Sequence, residues 1–228
     1  MQSDMVEIRD IDVDGETNWM WIKGDTGAFD GPRGNWYEHK QKYFKHVVQF
    51  DTIVTAGTNC GLYARMYAKM FKHVFAFEPE PLAFFCMVNN VPYDHVVKLN
   101  AALGHKNDIV GIERAPPGGH NMNVGMNVIA PPSEKFQIPM MTIDGLNLNA
   151  CDMIQLDVEG FEQYAIRGAI ATIQKFKPVI IAERFNTNEH QAAMRGINYS
   201  LVDISAMDSI YVHDDRINKT GGVFFYKT

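Results

Sequence analysis

Residues 52–61 read Thr52-Ile53-Val54-Thr55-Ala56-Gly57-Thr58-Asn59-Cys60-Gly61, and the fold turns on how they are understood. The run Thr52 to Ala56 is short and β-branched, which predicts a strand, and Gly57 ends it. Beyond Gly61, Leu62, Met66 and Met70 recur at helical spacing while Arg65 and Lys69 fall on another face. A glycine between strand and helix lets backbone come close to a ligand, and a second lets the helix pack tightly on the sheet. With only two glycines, spaced four apart, this is a poor dinucleotide fingerprint. Alone it is equally a tight strand-to-helix turn with no ligand.

Working outward, the chain keeps alternating in the way that builds a parallel sheet. Val74 to Phe77 is a second apolar run, followed by Glu78-Pro79 and a helix from about Pro81 to Asn90. Val96 to Leu99, Ile109 to Glu113 and Phe136 to Thr142 are further extended candidates. Between the last two, Ala115 to Pro132 is rich in Pro, Gly and Asn and too polar and broken to be core; a loop of that length is usually functional or mobile. Met153 to Leu156 is the next buried strand, and Phe161, Ala165, Ile166, Ala169, Ile170 and Ile173 form the apolar face of a helix. Val179 to Ala182 is a fifth strand ending at Glu183, and Thr187 or Asn188 can cap a helix running to Gly196. Ser209 to His213 and Gly222 to Lys227 read as two closing strands joined by a turn around Asp214 to Thr220. Upstream, Trp36 to His46 is helical in pattern, with Tyr37, Tyr43, Phe44 and Val47 available for packing. The expectation is an α/β fold with a mostly parallel sheet and an antiparallel edge strand, whose ligand sits at the carboxyl ends of the strands.

Chemistry gathers at those ends. Glu78 follows the second strand, 21 residues after Gly57, where a carboxylate can grip the hydroxyls of a nucleoside ribose. The plain alternative is an acid at a helix start, favoured by the helix dipole. Without the glycines that cradle a pyrophosphate, the combination favours S-adenosylmethionine over a dinucleotide. Asp157 and Glu159 bracket Val158 at the end of the fourth strand and point to the same crevice.

At this point several motifs occur in the order of one family. These are Val54 to Gly61, Phe77-Glu78-Pro79-Glu80-Pro81, Asn100-Ala101-Ala102-Leu103-Gly104, Thr142-Ile143-Asp144-Gly145-Leu146, Asp157-Val158-Glu159-Gly160-Phe161-Glu162 and Lys177-Pro178-Val179-Ile180-Ile181-Ala182-Glu183. Over roughly residues 36–213 the chain resembles the FkbM-type methyltransferases. The resemblance implies a Rossmann-like methyltransferase fold with a seven-stranded sheet, S-adenosylmethionine as cofactor, and usually O-methylation of sugars or related hydroxyl compounds. It implies that Gly57, Thr58, Asn59 and Gly61 line the methionine end, that Glu78 with Pro79 holds the ribose, and that Asn100 and Ala101 sit beside the adenine. Asp157 and Glu159 would face the methyl group and the acceptor, and Tyr37-Glu38 resembles a pair that closes the cofactor mouth. Thr55 is a departure: the family carries an acid two residues before the first glycine, and threonine brings a hydrogen bond there but no charge.

An alcohol acceptor must lose its proton, so Asp157 or Glu159 is the expected base, or the pair holds a divalent ion that does this work. No dedicated metal centre is expected. Glu183 is a third acid on the rim, although an acid beside Arg184 also reads as its ion-pair partner. His120, in Gly118-Gly119-His120-Asn121, is a further candidate base, against the ordinary reading of a solvated loop histidine. Asp10, Asp12, Asp14 and Gly15 imitate the start of a calcium loop, but Trp21 stands at the twelfth position where an acid is required. They fit one wet face of an edge strand better.

Length and charge bound the rest. The 228 residues suffice for one sizeable core without disulfides, and 46% hydrophobic with 21% charged residues is ordinary globular composition. Residues 1–30 hold eight acids against Arg9 and Lys23, which accounts for the whole net charge of −6. The division expected is an acidic N-terminal extension or flap over 1–35 and a nearly neutral Rossmann-like methyltransferase domain over 36–228. A neutral body argues against nucleic acid as a partner and so against an RNA methyltransferase. Cys60, Cys86 and Cys151 have no metal-ligand spacing and read as thiols in a reducing compartment. Neither a secretory signal nor an apolar run of roughly 20 residues is evident, so a cytoplasmic protein with no membrane association is expected. The partner expected is a small-molecule or glycan acceptor. A non-catalytic nucleoside-binding scaffold on the same fold is the alternative.

Overall fold

The computed structural model describes residues 5–10, 12, 13, 15, 17–25, 42–113, 124–133, 135 and 137–217. His120, Tyr37-Glu38, Asp14, the first part of the 36–46 helix and the 222–227 strand lie outside them; residues 42–44 do form a helical turn.

Seven strands form the main sheet. In chain order they are β3 (Thr52–Ala56), β4 (His73–Phe77), β5 (Val96–Leu99), β10 (Met153–Leu156), β11 (Val179–Glu183), β12 (Tyr199–Ser205) and β13 (Asp208–His213). Their order across the sheet is β12-β13-β11-β10-β3-β4-β5. The first five run parallel, and β13 is antiparallel to both of its neighbours. The antiparallel strand therefore stands one place in from the edge, and β12 forms the edge itself. β12 was not foreseen, because Tyr199 to Ser205 is mostly half-exposed and carries no simple alternation. The segment expected to turn at Asp214 instead opens a short helix, α6 (Asp214–Ile217).

Every residue of β3 is buried, as in parallel sheets covered on both faces. Alternate side chains feed two cores. Val54, Ala56, Ile154, Leu156 and Ile180 pack with Ala165, Ile166 and Ile173 on one face. Ile53, Met153, Val179 and Ile181 pack with Ala64, Tyr67 and Met87 on the other, where Tyr43, Phe44 and Val47 also lie. The helices that cover these faces include α1 (Leu62–Ala68), α2 (Pro81–Asn90), α3 (Glu162–Arg167), α4 (Ile170–Phe176) and α5 (Asn188–Arg195).

The apolar run 161–173 is thus two helices, broken at Gly168. A Cβ there would lie 1.9 Å from the Gly104 carbonyl oxygen, so close backbone approach sets the break. A smaller sheet comprises β6 (Ala102–Leu103), β7 (Asp108–Glu113), β8 (Val128–Ala130) and β9 (Ile138–Met141) in the order β6-β9-β7-β8. Part of the stretch expected to be loop is therefore a strand, since β8 pairs antiparallel with β7 and Ile129 joins an apolar cluster. At the N-terminus β1 (Val6–Arg9) and β2 (Trp19–Ile22) pair antiparallel. Trp19, Trp21 and Ile22 are buried with Cys60, Leu62, Ala83 and Cys86, so this hairpin shares a core with the starts of α1 and α2. β1 ends before Asp10; Asp12 accepts the Gly15 amide at 2.8 Å within the following turn.

The chain builds β3, β4 and β5 outward on one side, then returns to place β10 and β11 on the other side of β3. The crevice at this reversal, between the carboxyl ends of β3 and β10, is where sheets of this kind bind ligands.

Candidate active site

A cavity of about 400 Å³ opens there. Its floor is the turn after β3. The Gly57 amide donates to the Phe77 carbonyl at 3.1 Å, and the Asp157 amide to the Ala56 carbonyl at 3.1 Å. Gly57 has φ +74°, and any Cβ on it would stand 1.6 Å from the Asp157 carbonyl oxygen. Only glycine can close this turn against β10. Thr58 is buried, its hydroxyl 3.2 Å from the Phe77 carbonyl, and Asn59 takes φ +48°. Gly57, Thr58 and Asn59 all line the cavity. Gly61 does not face it: with φ +97° it packs on Met87 of α2 and on Val91 just past that helix's end, so its part is to let two helices approach.

Glu78 lines the same cavity and is buried. Its carboxylate accepts the Asn59 amide at 2.7 Å and the Glu80 amide at 2.9 Å. Burial raises its pKa to about 7, the neighbouring Glu80 adds to the rise, and the two amides oppose it. With two amides bound, the carboxylate keeps further lone pairs for hydrogen-bond donors. Glu80 caps α2, accepting the Leu82 and Ala83 amides at 2.7 Å each. Asn100 donates to the Glu78 and Pro79 carbonyls at 2.9 and 3.0 Å. It is absent from the lining and braces the loop instead, while Pro79 and Ala101 do line the cavity.

At the far side, carboxylate oxygens of Asp157, Glu159 and Glu183 lie within 4.8 Å of one another, close enough to share one cation. Arg184 approaches Glu159 at 3.9 Å and Glu183 at 3.7 Å, so one guanidinium faces two of the three acids. Partial burial raises the Glu159 pKa, with Glu183 adding to the rise and Arg184 opposing it. Glu159 sits at φ +50° in a loop held by Glu162, which accepts the Val158 and Gly160 amides at 3.1 and 3.3 Å. A raised pKa and a surplus of negative charge suit a group that takes up a proton.

Other wall residues were not legible in the sequence. Tyr63 faces the cavity from the first turn of α1, and burial beside Asp157 and Glu183 keeps its phenol protonated. Trp21 and the segment from Val124 to Ile129 close another side, joined by Asp25. The buried Asp25 carboxylate accepts the Trp21 indole N–H at 2.9 Å and the Val124 amide at 3.1 Å. One of the eight N-terminal acids is thus an internal brace. Thr55 is buried but not in the cavity wall; its hydroxyl donates to Gln155 of β10. The two form a neutral pair within the sheet.

Among the described residues no helix is long and apolar enough to cross a membrane. No curated protein sequence matches the chain. Among solved structures, a methyltransferase FkbM from Methylobacillus flagellatus KT matches with TM-score 0.53 and 15% identity. That match covers 77% of this chain and 47% of the other, so this chain spans about half the length of that protein. M. jannaschii TYW2, solved in complex with AdoMet, matches with TM-score 0.44 and 12% identity over 92% of this chain and 87% of the other. A family model described as the methyltransferase FkbM domain matches residues 46–209. That span runs through the glycine turn, Glu78 and the three clustered acids, and the chain belongs to the FkbM methyltransferase domain family.

Proposed function

We propose that this protein transfers a methyl group from S-adenosylmethionine to a hydroxyl of a small acceptor, a sugar or comparable hydroxylated molecule. The observation that carries this reading is the convergence of the Gly57 turn, Glu78 and the Asp157–Glu159–Glu183 cluster on one cavity at the sheet's reversal point. S-adenosylmethionine, when bound, supplies an electrophilic methyl on a sulfonium that leaves as a neutral thioether. Gly57, Thr58 and Asn59 bring backbone against its amino-acid end. Glu78 accepts the ribose hydroxyls, and Pro79 and Ala101 flank the base. Glu159 takes the acceptor's proton as the new carbon–oxygen bond forms, and Asp157 orients the reacting groups. Alignment of donor and acceptor in such a cavity can remove about 7–11 kcal/mol of barrier at best.

A nucleoside-binding scaffold would use the same turn and Glu78 but leave the three acids without work. Methyl release from labelled S-adenosylmethionine over a panel of hydroxylated acceptors separates the readings. The methyltransferase reading expects turnover that Glu159→Gln lowers by roughly 10²–10⁴-fold, the usual worth of a general base. Cofactor binding without turnover on every acceptor favours the scaffold.

A further inference from the structure

Thr55 and Gln155 stand directly opposite each other on the adjacent parallel strands β3 and β10. Each precedes a residue of the cavity wall by two positions: Thr55 leads to Gly57, and Gln155 leads to Asp157. Both side chains are buried, and neither belongs to that wall. Strand alternation turns them instead toward the face where Ile53, Met153, Ile181 and Tyr67 pack. In that apolar setting the Thr55 hydroxyl donates to Gln155 Oε1. A hydroxyl and a carboxamide buried together are costly unless each satisfies the other. Backbone bonds join the two strands at both ends, the Asp152 amide to the Thr52 carbonyl at 2.8 Å and the Asp157 amide to the Ala56 carbonyl at 3.1 Å. The Thr55–Gln155 bond adds a side-chain tie at the end where the strands open into the crevice. Immediately beyond it, the Asp157 carbonyl oxygen fills the space of a Cβ on Gly57. That contact leaves no slack, so the spacing of β3 and β10 at this level places the glycine turn and the acid together.

We infer that Thr55 and Gln155 are a coupled pair of positioning residues: their hydrogen bond sets how Gly57 stands against Asp157, and position 55 itself makes no contact with a bound donor. The inference rests on the reading of the cavity as an S-adenosyl site, whose binding depends on that spacing. It also explains why threonine serves where the FkbM pattern carries an acid. The side chain facing position 55 is a neutral carboxamide, which a neutral hydroxyl satisfies. A carboxylate there would bury a charge beside that carboxamide, and burial of a charge is costly without an ion-pair partner. The pair acts through the two strand ends, so its loss should loosen the crevice end of β3 and β10 and leave their other end in place.

The test combines amide hydrogen exchange of the ligand-free full chain with S-adenosylhomocysteine affinity, each read well below the Tm of the variant. Thr55→Val keeps the shape and removes the hydroxyl. Exchange of the Asp157 amide should quicken by about tenfold or more, while the Asp152 amide at the far end of the same strand pair stays within about twofold. S-adenosylhomocysteine should bind about tenfold more weakly, and Thr55→Ser should restore both values. Adding Gln155→Met to Thr55→Val removes the orphaned carboxamide. Tm should then recover while affinity and Asp157 exchange do not, which a merely structural role would not produce. Gln155→Met alone repeats the test should Thr55→Val not fold. Thr55→Asp should bind more weakly than the wild type. Unchanged Asp157 exchange in Thr55→Val, affinity that returns with Tm in the double variant, or tighter binding by Thr55→Asp would each overturn the inference. A wild-type chain that binds no S-adenosylhomocysteine defeats the S-adenosyl reading instead, and the exchange rates alone then decide whether the pair sets the spacing.

Discussion

Gly57 and Asp157 meet backbone to backbone: the space for a Cβ on Gly57 is filled by the Asp157 carbonyl oxygen, 1.6 Å from where that carbon would sit. This contact joins the turn proposed to receive the donor to the strand end that carries the acids. Both halves of the site are thus set by one close approach across the crevice. Gly57→Ala adds a left-handed backbone cost of about 1–2 kcal/mol to a clash that only backbone movement relieves. A loss of about 3 kcal/mol or more is expected, a fall in Tm of roughly 6–12 °C in thermal unfolding, together with loss of S-adenosylhomocysteine binding. A variant with unchanged Tm would mean that β3 and β10 do not meet as described.

Glu78 gives binding a pH dependence of definite sign. Its pKa of about 7 lies above the ordinary carboxylate value because of burial. Folding therefore favours its protonated form, and its contribution to stability is lost as pH rises from the ordinary value of 4.5 through 7. Binding runs the other way, because the ribose hydroxyls need the carboxylate as acceptor. Affinity for S-adenosylhomocysteine should fall as pH drops below about 7, by up to roughly tenfold per unit. In Glu78→Gln that part of the profile should flatten. A wild-type profile without this slope would remove Glu78 from the ribose.

Asp25 ties Trp21 to the amide of Val124, which lies 99 residues beyond Asp25 in the chain. Asp25→Asn keeps the shape but turns an amide donor toward the Trp21 indole N–H or the Val124 amide, leaving one of them unpaired at about 1–3 kcal/mol. The expected result is a modest loss of Tm and roughly tenfold faster release of S-adenosylhomocysteine in stopped-flow fluorescence. Unchanged release would reduce Asp25 to a local support for the hairpin.

How much of this was legible in the residues follows from physics. The parallel strands announced themselves because strands covered on both faces are buried throughout and so mostly apolar, as Thr52–Ala56 and Val179–Glu183 are. The place of Glu78 and Asp157 in the cavity wall was legible because strand ends at a reversal point face the crevice. β12 escaped because an edge strand needs only intermittent burial, and the break at Gly168 because the pressure comes from Gly104, distant in sequence. In the sequence Asp25 is only one of eight N-terminal acids, because one of the partners that bury it is an amide at 124. Gly61 carried a family position whose role here is helix packing.

The acids divide two chemistries that a chelator can separate. If Glu159 takes the proton directly, turnover should persist after EDTA treatment and rise with pH through the elevated pKa of Glu159, whose burial beside Glu183 shifts it upward. Activity lost to EDTA and restored by magnesium or manganese would reassign Asp157, Glu159 and Glu183 as metal ligands.

The central claim is that the cavity between β3 and β10 receives an S-adenosyl group, with Glu78 on its ribose. Calorimetric titration of S-adenosylhomocysteine into the wild-type chain and into Glu78→Ala tests it most directly. The account predicts one site per chain, with Kd on the order of 1–100 μM in the wild type and at least tenfold weaker in a variant whose Tm shows it folded. No binding to the wild type, or equal affinity in the two proteins, would contradict it.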